Sequence, residues 1–374
     1  MTILVINWQD KSNPFAGGAE THLHEIFSRI ARRGHRVVLL ACAYPGAQAE
    51  QLLDDGIYVV RRGSRALFNF VVPSTYRQLR RRFEPDIVVD DLNKIPFWTP
   101  LYVREPLLCI AHHFFGRSIF REVDLLRGGY VYLAEQLVPC IYRRQHVAVV
   151  SESTRREFIA RGFRPEQLHV IHNGIDHRAF PMAVGSKSLH PMITYFGRIK
   201  RYKCPDHLLE AFARIADQFP TAELFFVGDG DYIPSLQRQA TELGIASRVH
   251  WTGRVSEEEK IAYLSRSWCV VNTSMKEGWG ITTIEANACG TAVIAADVPG
   301  LRDAVADGVS GLLYRFGDIE ALSKAIALVI GDPALREKLS SGAIEWARQF
   351  SWDTSAEQML ALCQQITEAS RTSR

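Results

Sequence analysis

The chain is expected to be an α/β protein made of two parallel-sheet domains, and three features carry that expectation. Short β-rich runs alternate with helical ones, and they do so twice over. A polar, glycine-containing stretch, Pro181-Met182-Ala183-Val184-Gly185-Ser186-Lys187-Ser188, separates the two series and reads as a linker. The length of 374 residues, with 47% hydrophobic and 23% charged content, suits two soluble domains of ordinary size.

In chain order, Ile3–Asn7 reads as a first strand. Glu20–Arg33 reads as a helix stopped by Gly34, and Arg36–Ala41 as the next strand. Further strands are expected near Ile57–Arg61, Ile87–Asp90, Leu107–Ala111, Val147–Ser151 and Leu168–Ile171. The second series gives strands at Met192–Phe196, Glu223–Val227, Val249–Thr252, Trp268–Asn272, Ala292–Ala295 and a short Gly311–Tyr314. Helices fall between them at about Pro205–Asp217, Ile233–Leu243, Glu257–Ser265 and Ile281–Ala288, with helical segments from Ile319 onward. Neither an internal repeat nor a low-complexity tract is visible.

Composition narrows the function classes. The longest apolar run, Val37 to Ala43, falls short of the roughly 18 residues that span a bilayer, and the N-terminus reads as a strand rather than a signal peptide. A cytoplasmic location is therefore expected. The seven cysteines lack C-x-x-C spacing and read as reduced core residues. Residues 1–180 hold 24 Lys/Arg against 18 Asp/Glu, so the first half is basic. Its cations gather in Arg77-Gln78-Leu79-Arg80-Arg81-Arg82 and recur as Arg117, Arg121 and Arg127 among Phe114, Phe115, Phe120, Leu125 and Leu126. That mixture suits peripheral contact with an anionic membrane at the inner face of the cell, and equally a solvated helix face beside core aromatics. No nucleic-acid recognition module is visible, so nucleic acid is not expected as a partner.

Ligands of doubly wound sheets bind beyond the carboxyl ends of strands, so chemistry is sought in the loops that follow them. The densest is Glu277-Gly278-Trp279-Gly280-Ile281-Thr282-Thr283-Ile284-Glu285, two carboxylates around a glycine turn that opens into a helix. Amides of Gly280, Ile281 and Thr282 at that helix start suit a diphosphate, Glu285 a ribose diol and Glu277 sugar hydroxyls. An acidic helix start complementing the helix dipole is the plainer account. Other loaded loops are Gly17-Gly18 after the first strand, His112 and His113, Gly197-Arg198 with Lys203, and Gly228-Asp229-Gly230-Asp231.

Taken together, Gly17-Gly18, His112, Asn173-Gly174-Ile175-Asp176, Gly197-Arg198 with Lys203, Gly228-Asp229-Gly230, and Glu277 with Glu285 stand in the order found in one family. The chain resembles a retaining glycosyltransferase of the GT-B fold, family 4, also called group 1. The resemblance covers nearly the whole chain. It implies two Rossmann-like domains facing a central cleft: an acceptor-binding domain at 1–180, a nucleotide-sugar domain at 181–350, and a segment, 351–374, that crosses back around Ser351-Trp352-Asp353. It further implies that Arg198 and Lys203 neutralise the donor diphosphate, that Glu277 orients the transferred sugar, and that His112 faces the reacting sugar. His113 takes that place if the strand register shifts by one. Donor contacts extend to Gly17, Gly18, Gly197, Gly228, Asp229, Gly230, Arg254, Val255, Gly278, Trp279, Gly280, Ile281, Thr282 and Glu285. The implied donor is a UDP- or GDP-sugar and the acceptor a glycan or lipid-linked hydroxyl, with no cofactor and no metal.

Two departures stand out: Trp279 where the family commonly has Phe, and Cys204 where it usually has glycine. Competing readings are a zinc site at the His pair, which lacks a third ligand of suitable spacing, and a metal-binding carboxylate pair at Asp229 and Asp231. A dinucleotide fingerprint at Gly228 fails because Ile233 stands where a third glycine or alanine belongs. A nucleotide-sugar epimerase of the same fold, and a non-catalytic nucleotide-sugar-binding subunit, remain as alternatives in function.

Overall fold

Runs of aliphatic and β-branched residues buried on both faces are what a parallel sheet covered by helices requires, and the strands of this chain have that character. In the computed structural model, which describes residues 1–92, 95–121 and 123–372, the chain divides into two units. One comprises Met1–Gly174 with Trp352–Arg374; the other is Ile175–Ser351.

The first unit contains β1 (Thr2–Ile6), α1 (Gly18–Arg32), β2 (Arg36–Ala41), β3 (Glu50–Leu52), β4 (Ile57–Arg61) and α2 (Phe68–Phe83). It continues with β5 (Ile87–Leu92), β6 (Leu107–Ala111), α3 (Leu125–Tyr142), β7 (His146–Val149), α4 (Glu152–Ala160) and β8 (Leu168–Val170). Its sheet runs β3-β4-β2-β1-β5-β6-β7-β8, parallel except where β3 pairs antiparallel with β4. The short β3 has no counterpart in the sequence expectation, because Glu50-Gln51-Leu52 is too polar and brief to show a period. β7 ends at Val149, and Ser151, expected as strand, is instead the N-cap of α4, its hydroxyl accepting from Thr154 N–H.

The second unit contains β9 (Met192–Phe196), α5 (Pro205–Ile215), β10 (Glu223–Val227), α6 (Ile233–Glu242), β11 (Val249–Gly253), α7 (Glu257–Arg266), β12 (Cys269–Asn272) and α8 (Ile281–Ala288). Then follow β13 (Ala292–Ala296), α9 (Leu301–Ala304), β14 (Gly311–Tyr314), α10 (Ile319–Gly331) and α11 (Pro333–Ala347). Its six strands lie in the order β11-β10-β9-β12-β13-β14, all parallel.

The stretch 181–188, expected as a linker, is held in the second unit. The Lys187 ammonium donates to Ser265 O, Gly290 O and Thr291 Oγ1, and burial lowers its pKa to about 8. The chain therefore passes between units at 174/175 and again at 351/352. The last helix, α12 (Trp352–Thr372), packs on α1, where Arg29 Nε lies 2.8 Å from Asp353 Oδ1 and Arg33 Nη2 2.8 Å from Glu357 Oε1.

Six cysteines are buried and reduced, as expected; Cys140 on α3 is exposed. Among the described residues no helix is long and apolar enough to cross a membrane. Of the basic residues singled out in the sequence, Arg117 and Arg127 are exposed, and the side chain of Arg121 lies outside the described part.

Candidate functional site

In the second sheet β9 has β10 on one side and β12 on the other, so the crossovers leave it in opposite directions. The carboxyl edge of the sheet beside such a switch point is the usual ligand position in this topology. Strand order also puts the loop after β10 and the loop after β11 in sequence beside them. Four of the segments expected to hold a donor, Arg254-Val255, Gly228-Asp229-Gly230, Gly197 to Lys203 and Glu277 to Thr282, thus form one row.

The glycines of this row are fixed by backbone packing. Gly228 has φ +140°, and a Cβ there would stand 2.0 Å from Gly197 O; one on Gly230 would stand 1.9 Å from Ile199 O. Ile199 N–H donates to Asp229 O and Gly228 N–H to Gly253 O. These glycines let the loops after β10 and β11 support the Arg198 loop, a role sequence reading did not give them. Arg198 is exposed and makes no ion pair among the described residues, while its carbonyl accepts from Tyr195 Oη at 3.1 Å. Arg254 Nε is 3.7 Å from Asp229 Oδ2, both well exposed.

Lys203 and Glu277 meet. The Lys203 ammonium lies 2.6 Å from Glu277 Oε1, which also accepts from Ser274 Oγ at 2.8 Å. Burial works against the ammonium, but the facing carboxylate prevails and holds the lysine above its usual pKa. Thr273 Oγ1 donates to Lys203 O at 2.9 Å, so the two loops are sewn together at backbone and side chain alike. Cys204, at the family's glycine position, has φ +48°, the left-handed conformation glycine takes most easily, and caps α5 ahead of Pro205.

Beyond Glu277 the chain turns through Gly278 and Trp279 into α8. Trp279 is buried, its ring edge-on to Phe350 at 5.1 Å, so its side chain belongs to the core of the unit and anchors the turn from beneath. Gly280 caps α8 with φ +93° and no side-chain cap, which leaves the helix start to the partly exposed backbone of Ile281 and Thr282. Gly300, which sequence reading passed over, is the reason this loop fits: a Cβ on it would lie 2.3 Å from Glu277 O.

Glu285, one turn into α8, is nearly buried and pairs with Lys260 of α7 at 2.9 Å. Burial raises its pKa and Lys260 opposes that rise. Lys260 also bonds Glu257 at 2.6 Å and stands 5.3 Å above the Phe180 ring. Nothing in its sequence context, among three consecutive glutamates at a helix start, distinguishes it from a surface lysine.

The first unit has its own polar cluster at the carboxyl edge. His112 follows β6, with Nε2 3.3 Å from Asp91 Oδ1 on the neighbouring strand β5. Burial would lower the imidazole's pKa, but Asp91 and, more weakly, Glu20 raise it. Asp91 is fully buried, and the ring of His22, also buried, stands edge-on to His112 at 5.0 Å. His113 turns away, its ring 4.7 Å from Phe115. Gly17 caps α1, but its N–H donates to Glu20 Oε2 at 2.7 Å. Gly18 beside it is exposed. Among the described residues no cluster of three or more His, Cys, Asp or Glu side chains is arranged to hold a metal ion.

Two family models match. Residues 16–179 fit the one described as Glycosyltransferase Family 4 and residues 179–346 the one described as Glycosyl transferases group 1. A D-inositol 3-phosphate glycosyltransferase of Jonesia denitrificans is 33% identical over 217 residues, 53% of this chain and 51% of that protein. The chain thus spans about half the length of this curated relative. Sucrose-phosphate synthase from Thermosynechococcus elongatus superposes with a TM-score of 0.81 at 21% identity, covering 98% of this chain and 99% of that one. HepE of Anabaena, in complex with UDP and glucose, superposes with a TM-score of 0.76 at 23% identity, covering 98% and 100%. At such identities the superpositions establish the fold.

Proposed function

This chain belongs to the group 1 glycosyltransferases of family 4, with the two parallel-sheet domains of the GT-B fold, and from that premise we propose a retaining, metal-independent sugar transfer. The donor is a nucleoside-diphosphate hexose, UDP- or GDP-linked, bound by the second unit. The acceptor is a hydroxyl of a glycan or lipid-linked saccharide, bound by the first. The observation that carries this reading is the Lys203–Glu277 pair: a half-buried cation and a carboxylate, 2.6 Å apart, joining the loops after β9 and β12 at the switch point of the second sheet. That arrangement offers a counter-charge for a diphosphate and an acceptor for sugar hydroxyls within one side-chain length of each other.

In the proposed same-face displacement the bond from anomeric carbon to diphosphate oxygen breaks as the acceptor oxygen bonds to that carbon. The acceptor's proton passes to the departing diphosphate oxygen, so no enzyme carboxylate need flank the bond. Arg198 and Lys203 offset the charge that grows on the leaving group, and the amides of Gly280, Ile281 and Thr282 donate to its phosphates. Glu285, steadied by Lys260, accepts from the ribose diol; Gly228-Asp229-Gly230 and Arg254-Val255 border the base. Glu277 orients the sugar. His112 is the residue of the first unit proposed to take part in transfer, and Asp91, 3.3 Å away, positions it. The UDP and glucose carried by the HepE neighbour, and the transferase name of the Jonesia relative, support a nucleoside-diphosphate sugar with uridine as the first base to try. The place of action is the cytoplasm, at the inner face of the cell membrane.

A thermal-shift series against UDP-, GDP-, ADP- and TDP-sugars, repeated with Lys203→Ala, tests the donor site, since a ligand that binds only the folded state raises its melting temperature. The expected result is a rise with one nucleotide class that the variant loses. Slow donor hydrolysis with nucleotide release should accompany it. Conversion of the sugar to its epimer without release would make the protein an epimerase, and binding with neither reaction would make it a non-catalytic subunit.

A further inference from the structure

Helix α3 is apolar on two faces, although packing accounts for only one. Val131, Ala134, Val138 and Tyr142 are buried against the first unit. On the solvent-facing side Leu126, Tyr130, Leu133 and Leu137, spaced four, three and four residues apart, form one stripe and are 87%, 54%, 64% and 51% exposed. A helix that is apolar all round belongs in a core or against lipid, and four large apolar side chains in one stripe exceed the scattered exposure ordinary on a surface.

Apart from the N-cap Asp124, the exposed charges on and at the ends of α3 are basic. Within residues 125–145 the only acid is Glu135, and it is buried, accepting from the backbone N–H groups of Phe115 at 2.6 Å and Gly116 at 2.8 Å. Arg127 stands exposed at the first turn, with the N-cap Asp124 at 3.4 Å. Arg143 and Arg144 are exposed at the other end and make no ion pair among the described residues. A two-fold pairing of this face with a second copy would bring arginines to arginines, with Asp124 the only carboxylate nearby, so a second copy fits poorly. A phospholipid surface fits well. Acyl chains accept leucines, Tyr130 suits the level of the headgroups, and long arginine side chains reach anionic phosphates while their stems stay apolar.

We propose that the outward face of α3 lies in the interface of an anionic lipid bilayer, with Leu126, Tyr130, Leu133 and Leu137 inserted and Arg143 and Arg144 at the phosphates. Because Glu135 ties α3 to the backbone of Phe115 and Gly116, docking also steadies the loop that begins at His112. This deepens the membrane location given under the proposed function and names its surface, but it depends on no property of the donor site.

The test is sedimentation of the full chain with vesicles of phosphatidylcholine alone and of phosphatidylcholine mixed with phosphatidylglycerol. The wild-type protein should pellet with the mixed vesicles and much less with phosphatidylcholine. Leu133→Gln with Leu137→Gln should weaken binding by about tenfold or more, since two leucines no longer leave water. Arg143→Gln with Arg144→Gln should weaken it specifically at low salt. Circular dichroism and the thermal shift with the donor nucleotide, both without vesicles, show whether each variant is folded and keeps its donor site. Pelleting equal to wild type for the leucine variant would overturn the proposal, as would no pelleting of the wild type. Light scattering that shows a dimer turned to monomer by the leucine changes would assign the face to a second copy and overturn it too.

Discussion

Lys203 of the loop after β9 and Glu277 of the loop after β12 hold each other at 2.6 Å, and that contact ties the two loops together. Under the proposed function a donor phosphate would share Lys203 with Glu277, and a sugar hydroxyl would share Glu277 with Lys203 and Ser274.

The pair makes separable predictions for stability and binding. Lys203→Met takes away the ammonium that faces the Glu277 carboxylate, 18% exposed, and should cost roughly 1–3 kcal/mol in urea unfolding. It should also abolish the nucleotide-dependent rise in melting temperature. Lys203→Met combined with Glu277→Gln removes both charges, so stability should partly return while donor binding does not. A double variant no more stable than Lys203→Met would show that the two side chains do not act as a pair.

The strands that position the site were legible because each is a short apolar run ending in glycine, histidine or asparagine, and that punctuation survives without tertiary context. Leu107–Ala111 followed by His112, and Met192–Phe196 followed by Gly197, stand as expected. What was hidden depends on partners distant in sequence. Lys260 reads as one cation among surface glutamates, and only the packing of α7 beside α8 makes it the mate of Glu285. Asp91 reads as a strand-end acid until β5 pairs with β6 and brings it to His112. The polar run 181–188 has the composition of a linker, but Lys187 finds three oxygens and fixes it. Trp279 lies in the motif by sequence and in the core by packing.

Gly300 supplies a second prediction, because its place beside the Glu277 loop is set by backbone atoms that cannot move aside. Its φ is +85°, and an added Cβ would be 2.3 Å from Glu277 O and 2.8 Å from Glu277 C. Gly34 has nearly the same φ, +87°, but a Cβ added there would meet nothing within 4 Å, so Gly34→Ala reports the strain alone, about 1 kcal/mol. Gly300→Ala should cost at least about 1 kcal/mol more than that and should weaken donor binding by displacing Glu277. Equal costs for the two alanines, measured by urea unfolding, would mean that the Glu277 loop yields freely and is not held by this contact.

The last prediction concerns Asp90, next to the carboxylate that holds His112. Burial pushes its pKa up to about 7, the Asp91 charge adds to the rise, and hydrogen bonds from Thr99 and Tyr142 oppose it. An unfolded aspartate titrates near 3.8. Between those values the folded protein keeps a proton that the unfolded chain releases, so this group's contribution to stability falls as pH rises through the window and levels off above it. Asp90→Asn retains a carbonyl oxygen to accept from both hydroxyls and has no charge to bury. The variant should therefore be more stable than wild type at about pH 8, by an amount on the order of 1–3 kcal/mol, and the gap should close toward about pH 4. Urea unfolding of both proteins across that range measures the gap directly. Curves that run parallel at every pH would mean that Asp90 is ionised in the folded state as readily as in the unfolded one, and would remove the buried proton from the account of this cluster.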